Sequence, residues 1–259
     1  MTTATLAGLV LIGGFVLLLL MRVPISFAML LATLGSALVT GTNFSVLVRQ
    51  MVDGANNFSL LSIPFFIVMG EFMSAGGISE KIVDLANLAV GRFRGGLAHV
   101  NVLVSLLFGG VSGSAVADTS GIGTVLIPSM IKKGYTKSFS VAVTATSSVL
   151  GQIIPPSLIM IIYASTANAS VQALFIAGIL PGILFALAMM LVSYVYALIY
   201  DYPREEKRSF HDFLHAVKES FLVLLMPVII IGGVLSGVVE PIGAVLTLLA
   251  AQLVIPALP

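Results

Sequence analysis

Apolar stretches of about 20 residues, the length a helix needs to cross a bilayer's hydrocarbon core, recur along this chain from end to end. They fall at residues 4–21, 24–41, 58–78, 144–164, 172–200, 219–239 and 242–258. Only 9% of the 259 residues are charged, against about a quarter in a soluble domain. The chain therefore reads as an all-α integral membrane protein. Its first stretch lacks a basic leader and a small-residue cleavage site, so it reads as a span rather than a removed signal. The formal net charge is +1 and no basic face points to nucleic acid. The absence of cysteine excludes disulfides, thiolate chemistry and iron–sulfur ligation. Of the three histidines, His99 stands alone. His211 and His215 are spaced four apart within a charged loop, where a solvated connector explains them better than a metal site.

The basic residues set the topology. They cluster at Arg22; at Lys81, Arg92 and Arg94; at Lys132, Lys133 and Lys137; and at Arg204, Lys207, Arg208 and Lys218. The positive-inside rule places these groups in the cytoplasm. The N-terminus then lies outside, the C-terminus inside, and Arg49 is the exception. Residues 42–57 are expected outside, along the surface as an amphipathic segment.

Loops 79–96 and 131–138 are both basic, so an even number of crossings separates them. Between them lie apolar runs 97–112 and 119–130. At 1.5 Å per residue these reach roughly 24 and 18 Å, against a core of about 30 Å. The reading with fewest assumptions is a re-entrant helical hairpin that enters from the cytoplasm and turns near Ser112–Asp118. Two short tilted spans give the same parity. The segment between them, Val111-Ser-Gly-Ser-Ala-Val-Ala-Asp-Thr-Ser-Gly121, is polar and glycine-rich around a lone carboxylate. At membrane depth such backbone survives only where it is packed in protein or lines a wet cavity, and an ionisable group there marks a functional site by default.

A second polar island follows. Thr144-Ala-Thr-Ser-Ser148 and Gly151-Gln-Ile-Ile-Pro-Pro-Ser157 interrupt the stretch 144–164. Paired prolines remove two amide donors and disfavour helix before them. This stretch is expected to be one crossing made of two half-helices with an unwound middle. Hydroxyls, together with carbonyls freed where helices break, are the oxygens that secondary transporters offer to a sodium ion. The candidate ion ligands are Ser112, Gly113, Ser114, Ser147, Ser148, Gly151 and Pro155. The candidate substrate-facing residues are Asp118, Thr119 and Ser157. Each serine also has a structural alternative, bonding back to its own turn or packing helices. Asp118 could bind a cation, meet a substrate hydroxyl or ammonium, cap the following half-helix, or pair with a distant base. Glu71 reads as an interfacial or helix-pairing carboxylate, and Glu240 as lying at the outer interface. No nucleophile–base pair is present, so the chain does not read as an enzyme.

Several motifs resemble the large membrane subunit of tripartite ATP-independent periplasmic (TRAP) transporters. They are Ser62-Ile-Pro-Phe-Phe-Ile-Val-Met-Gly70, Arg94-Gly-Gly96, Phe108-Gly-Gly-Val-Ser-Gly-Ser-Ala-Val-Ala-Asp118, Ile127-Pro-Ser-Met130 through Lys133-Gly-Tyr135, Gly151-Gln-Ile-Ile-Pro-Pro-Ser157 and Ala177-Gly-Ile-Leu-Pro-Gly182. The resemblance covers roughly residues 1–239. It implies a multi-pass protein of a bacterial inner membrane that imports an organic anion (a C4-dicarboxylate, sialic acid or another sugar acid) with sodium as coupling ion and no bound cofactor. It also implies two partners, a small membrane subunit and a periplasmic substrate-binding protein. The implied fold is of elevator type, with two inverted repeats that each carry a re-entrant hairpin and a broken helix. On that pattern, residues 1–96 form scaffold helices and a linking arm, 97–164 the transport-site region, and 165–259 further spans with a truncated second repeat. The segment Gly237-Val-Val-Glu-Pro-Ile-Gly-Ala-Val-Leu-Thr247 departs from the family's usual threonine-proline-threonine-glutamate run. A truncated scaffold without transport, a fragment and half of a split transporter are the alternatives this leaves.

Overall fold

The computed structural model describes residues 2–75 and 78–204, with isolated positions between 217 and 243. The expected spans 219–239 and 242–258, Glu240, His211, His215 and most of the loop 201–218 lie outside the described residues. Every regular element among the described residues is an α-helix. The chain divides into two compact units, residues 1–57 and 58–259.

In the first unit, α1 (Thr3–Leu20) packs against α2 (Ile25–Thr40). These lie within one residue of the predicted spans. Small side chains make the interface: Ala7, Ala28, Ala32 and Ala37 are buried, and the Ser36 hydroxyl donates to the Ala7 carbonyl at 3.1 Å. Between membrane helices there is no aqueous hydrophobic drive, so close backbone approach through small residues is what holds such a pair. Leu9, Ile12, Leu17, Leu20, Phe27 and Leu38 point outward, as lipid-facing residues do. Pro24 starts α2 where its missing amide costs nothing, and Gly41 ends it in the left-handed conformation. The third helix, α3 (Phe44–Ala55), has no buried residue and carries an exposed Arg49–Asp53 pair one turn apart. It falls within the segment 42–57 that the sequence predicts to be amphipathic, and with the start of α4 it forms the apolar run Phe44–Val68.

In the second unit the helices are α4 (Phe58–Ala75), α5 (Ile78–Val90), α6 (Gly96–Ser112), α7 (Ala115–Lys132), α8 (Lys137–Ser147), α9 (Leu150–Ile153), α10 (Leu158–Ala167) and α11 (Val171–Ile199). The organising element is α6. It packs against α4, α5, α7, α8, α9 and α11. Buried residues surround it: Leu97, Val100, Val102, Val104 and Phe108 feed two apolar clusters. A helix buried on all sides in this way is a core helix.

Thr3–Leu20, Phe44–Val68 and Val171–Ile199 are long and apolar enough to cross a membrane. A fourth crossing is available if the bent pair Lys137–Ile153 and Leu158–Ala167, angled by 42°, acts as one span. The predicted break at Gly151–Pro156 is therefore present, but the crossing begins at Lys137 rather than at 144. Thr136 starts it early by accepting the Phe139 amide at 3.4 Å. Ser157 starts the far half by accepting the Met160 amide at 3.3 Å. The Pro155–Pro156 bond is cis. α11 closes over the break through glycines. A methyl on Gly178 would meet the Ile153 carbonyl at 2.5 Å, and one on Gly182 would meet Ile154 at 2.2 Å. This gives a packing reason for the sequence Ala177-Gly-Ile-Leu-Pro-Gly182.

The turn between α6 and α7 also differs from expectation. The sequence predicts it over Ser112–Asp118, whereas it occupies only Gly113 and Ser114. Ser114 caps α7 by accepting the Ala117 amide at 3.3 Å, and the alanines after it are strong helix formers. Asp118 therefore sits one turn inside α7 rather than at the tip, and the capping role considered for it belongs to Ser114.

Candidate functional site

The α6–α7 turn, the α9–α10 break and α4 meet at one place. Gly113 is left-handed, with φ +62°, and its carbonyl accepts the Leu158 amide at 3.3 Å. A methyl on it would meet the Pro156 carbonyl at 2.8 Å, so only glycine lets the turn seat against the break. One turn back along α6, Gly109 lies against Gly151: a methyl on Gly109 would meet the Gly151 Cα at 2.6 Å. From the third side, Gly70 of α4 approaches the Ser112 backbone.

Asp118 is fully buried in this junction. The Ser112 hydroxyl donates to Asp118 Oδ1 and itself accepts the Ser114 amide at 3.2 Å. The other carboxylate oxygen, Oδ2, is buried and has no hydrogen-bond partner among the described residues. It lies over Gly151, where a methyl would stand 2.4 Å from it. No basic side chain pairs with Asp118 among the described residues. A buried carboxylate left half satisfied carries a large solvation cost, which a cation or a proton would relieve. The position of Asp118 in the first turn of α7 offsets part of that cost through the helix dipole. A cavity of about 510 Å³ opens beside the tip, lined by Gly70, Glu71, Ser112, Ser114, Ser120 and Leu158 among others. Glu71, expected at an interface, thus borders this cavity.

The candidates from the sequence sort into three groups. Ser112, Gly113, Asp118 and Gly151 come together, with Pro155 buried in the adjoining break. Ser147 and Ser148, fully buried, sit in the last turn of α8 and at its cap, and both hydroxyls reach the Thr144 carbonyl. Ser147 is held by α6, and the Ser148 hydroxyl donates to the Thr144 carbonyl at 2.8 Å. A third group has its hydroxyls engaged locally. Ser114 caps α7 while facing the cavity, and Thr119 donates to the Ala115 carbonyl at 2.7 Å. Ser157 caps α10 and donates to the Gln152 carbonyl at 2.7 Å.

Sequence reasoning missed Asn101 and Ser105. Both are fully buried on α6 and face α8. The Ser105 hydroxyl lies 2.9 Å from that of Ser147, and Ser147 donates to Asn101 Oδ1 at 3.0 Å. Asn101 Nδ2 donates to Thr144 Oγ1 at 2.6 Å, and that hydroxyl donates to the Ser140 carbonyl at 2.8 Å. The signal was available: Asn101, Ser105, Gly109 and Ser112 recur at steps of four, four and three, along one helix face.

The fold is thus that of an all-α, strongly apolar protein in which two interrupted helical segments meet around a buried carboxylate. The family model for the DctM component of the tripartite ATP-independent periplasmic transporters matches residues 12–258, and the chain belongs to that family. The family is one of transporter permeases. The chain is 43% identical over 237 residues to the uncharacterized protein YgiK of Salmonella typhimurium, covering 90% of this chain and 54% of that protein. It is 41% identical over 233 residues to the sialic acid TRAP transporter large permease protein SiaM of Vibrio cholerae, covering 89% and 54% respectively. Against the C4-dicarboxylate TRAP transporter large permease protein DctM of Pseudomonas aeruginosa it is 38% identical over 192 residues, covering 74% and 45%. The chain spans about half the length of these relatives.

Proposed function

We propose that this chain is the site-bearing half of a sodium-coupled TRAP permease of the bacterial inner membrane. In this reading α6 and α7 form a re-entrant hairpin, and α8 to α10 form the facing broken helix of an elevator-type transport body. The coupling sodium ion binds where the two meet. Ser112, Asp118 and the backbone about Gly113, Gly151 and Pro155 supply its oxygens, Ser114 and Ser148 are further candidate donors, and Ser147 supports the site from α8. Thr119 and Ser157 flank the junction on the substrate side. The single observation that carries this reading is Asp118 Oδ2: a buried carboxylate oxygen with no hydrogen-bond partner among the described residues, facing the glycine of a broken helix. The substrates named for the relatives are organic acids, and an organic anion is the proposed cargo. It would be delivered by a periplasmic binding protein, with a small membrane subunit completing the assembly.

Co-expression with both partner subunits, followed by uptake of labelled organic acids in sodium or choline medium, tests this. Accumulation that needs sodium is the expected result. Accumulation that is equal in choline would remove the coupling claim. Insertion with partner binding but no uptake would favour a scaffold.

A further inference from the structure

The residues that face α8 from α6 do more than fill space, and we infer that Asn101 is the positioning residue that sets the broken helix in register with the hairpin, acting through Ser147. This rests on the ion-site reading for its functional consequence, but the geometry stands by itself. A hydroxyl has one proton to give and an amide has distinct donor and acceptor ends. Those limits constrain the buried chain. The Ser147 hydroxyl has Asn101 Oδ1 at 3.0 Å and the Thr144 carbonyl at 3.1 Å as acceptors and lies 2.9 Å from the Ser105 hydroxyl, while Asn101 Nδ2 donates to Thr144 Oγ1 and Thr144 to the Ser140 carbonyl. Every member is fully buried. In this network the two ends of the Asn101 amide meet two different hydroxyls of α8, so sliding α8 along α6 would break both contacts together.

Position along the helices gives the network its purpose. Ser147 is the last residue of α8, joined through Ser148 and Val149 to α9, which carries Gly151 and leads into the break. Two turns beyond Asn101 on α6 lies Gly109, pressed on the backbone of Gly151; three residues further lies Ser112, which holds Asp118. Asp118 Oδ2 stands over Gly151 at a separation too close for a methyl. A shift of α8 and α9 along α6 by a fraction of a turn would carry Gly151 away from that oxygen. Apolar contacts between α6 and α8 are non-directional and tolerate such a shift. The directional polar chain does not. Buried polar networks that are completely satisfied specify a unique packing, and partners behind metal ligands commonly control affinity by orienting them.

The test uses the full chain, which has no cysteine, so introduced thiols label specifically. Spin labels are placed at Val116, on the first turn of α7, and Val149, between α8 and α9; both side chains are exposed. The wild-type chain is expected to give one narrow distance distribution. Asn101→Leu, which removes both ends of the amide at similar size, and the milder Ser105→Ala should each broaden or displace it. Tyr202→Phe, which deletes the Thr136–Tyr202 hydroxyl contact at 3.1 Å elsewhere in the unit, should not. Unchanged distributions in both Asn101→Leu and Ser105→Ala would overturn the proposal. In a sodium titration of thermal stability, Asn101→Leu should raise the sodium midpoint by about tenfold, the lower end of the range for outer-shell partners of metal ligands. Asn101→Leu with Ser147→Ala should raise it no further. A midpoint equal to wild type would overturn the positioning role. Absence of any sodium response in the wild-type chain would overturn the ion-site reading itself, and the spin labels alone would then decide whether Asn101 sets the register.

Discussion

Gly151→Ala probes the junction most sharply, because its cost should depend on one named partner. The new methyl would stand 2.4 Å from Asp118 Oδ2 and 3.4 Å from the Gly109 Cα. A carbon and an oxygen without a bond between them rest at about 3.3–3.6 Å, so the carboxylate must retreat by about 1 Å. Ser112 holds it from the other side. Overpacking of this kind costs about 1–3 kcal/mol. Alanine returns up to about 1 kcal/mol over glycine in a helix, though α9 is only four residues long. The net expectation is a loss of about 1–2 kcal/mol. In an Asp118→Ala background the obstructing oxygen is gone and only the ordinary Gly109 contact remains. There Gly151→Ala should be neutral or slightly stabilising. The coupling between the two substitutions is then about 1–3 kcal/mol, within the range seen for residues in contact. Thermal or denaturant unfolding of the four purified proteins in one detergent measures it. Equal effects of Gly151→Ala in the two backgrounds would refute the placement of Asp118 over Gly151.

Other consequences follow from single contacts. Gly109→Ala should be worse tolerated than Gly151→Ala, since its methyl meets backbone at 2.6 Å rather than a side-chain end; Asp118→Ala should not rescue it. Ser157→Ala should lower stability by about 1 kcal/mol through loss of the α10 cap, with the sodium midpoint unmoved if the hydroxyl serves the fold alone. Replacing Ser114 or Ser148 with alanine should raise the sodium concentration needed for half-maximal stabilisation, and an unchanged midpoint in both would leave them as helix-packing residues. For topology, a cysteine at Lys133 in intact cells should resist an impermeant thiol reagent while one at the exposed Ala167 reacts. Strong labelling at Lys133 would contradict the cytoplasmic placement of the hairpin's ends.

Much of this was legible because the relevant physics is local. Span lengths follow from apolar runs, so α1, α2 and α11 lie within a residue or so of their predicted limits. The break at Pro155–Pro156 was legible because proline removes donors wherever it stands. The turn at Gly113–Ser114 was misjudged for an instructive reason. Polar composition implies non-helical backbone, but Ser114 caps at once and Ala115 and Ala117 are helix formers, so the polar residues 118–120 are helical. Legibility ended where long-range contact decides. Nothing near Asp118 in sequence announces Gly151, 33 residues on. Asn101 and Ser105 were hidden in a run read only for length, although their four-residue spacing placed them on one face. Which hydroxyls face an ion and which merely close a helical turn depends on neighbours no local pattern names.

The most direct measurement is a sodium titration of the thermal stability of the chain against choline at equal ionic strength, for wild type and Asp118→Asn. Asparagine keeps the shape and the contact to Ser112 while removing the charge. If Asp118 is the cation-binding group, sodium should raise the wild-type melting temperature with a saturable midpoint, and the asparagine variant should melt identically in sodium and choline. A sodium midpoint and amplitude in Asp118→Asn equal to those of wild type would contradict an ion site at the junction of hairpin and broken helix.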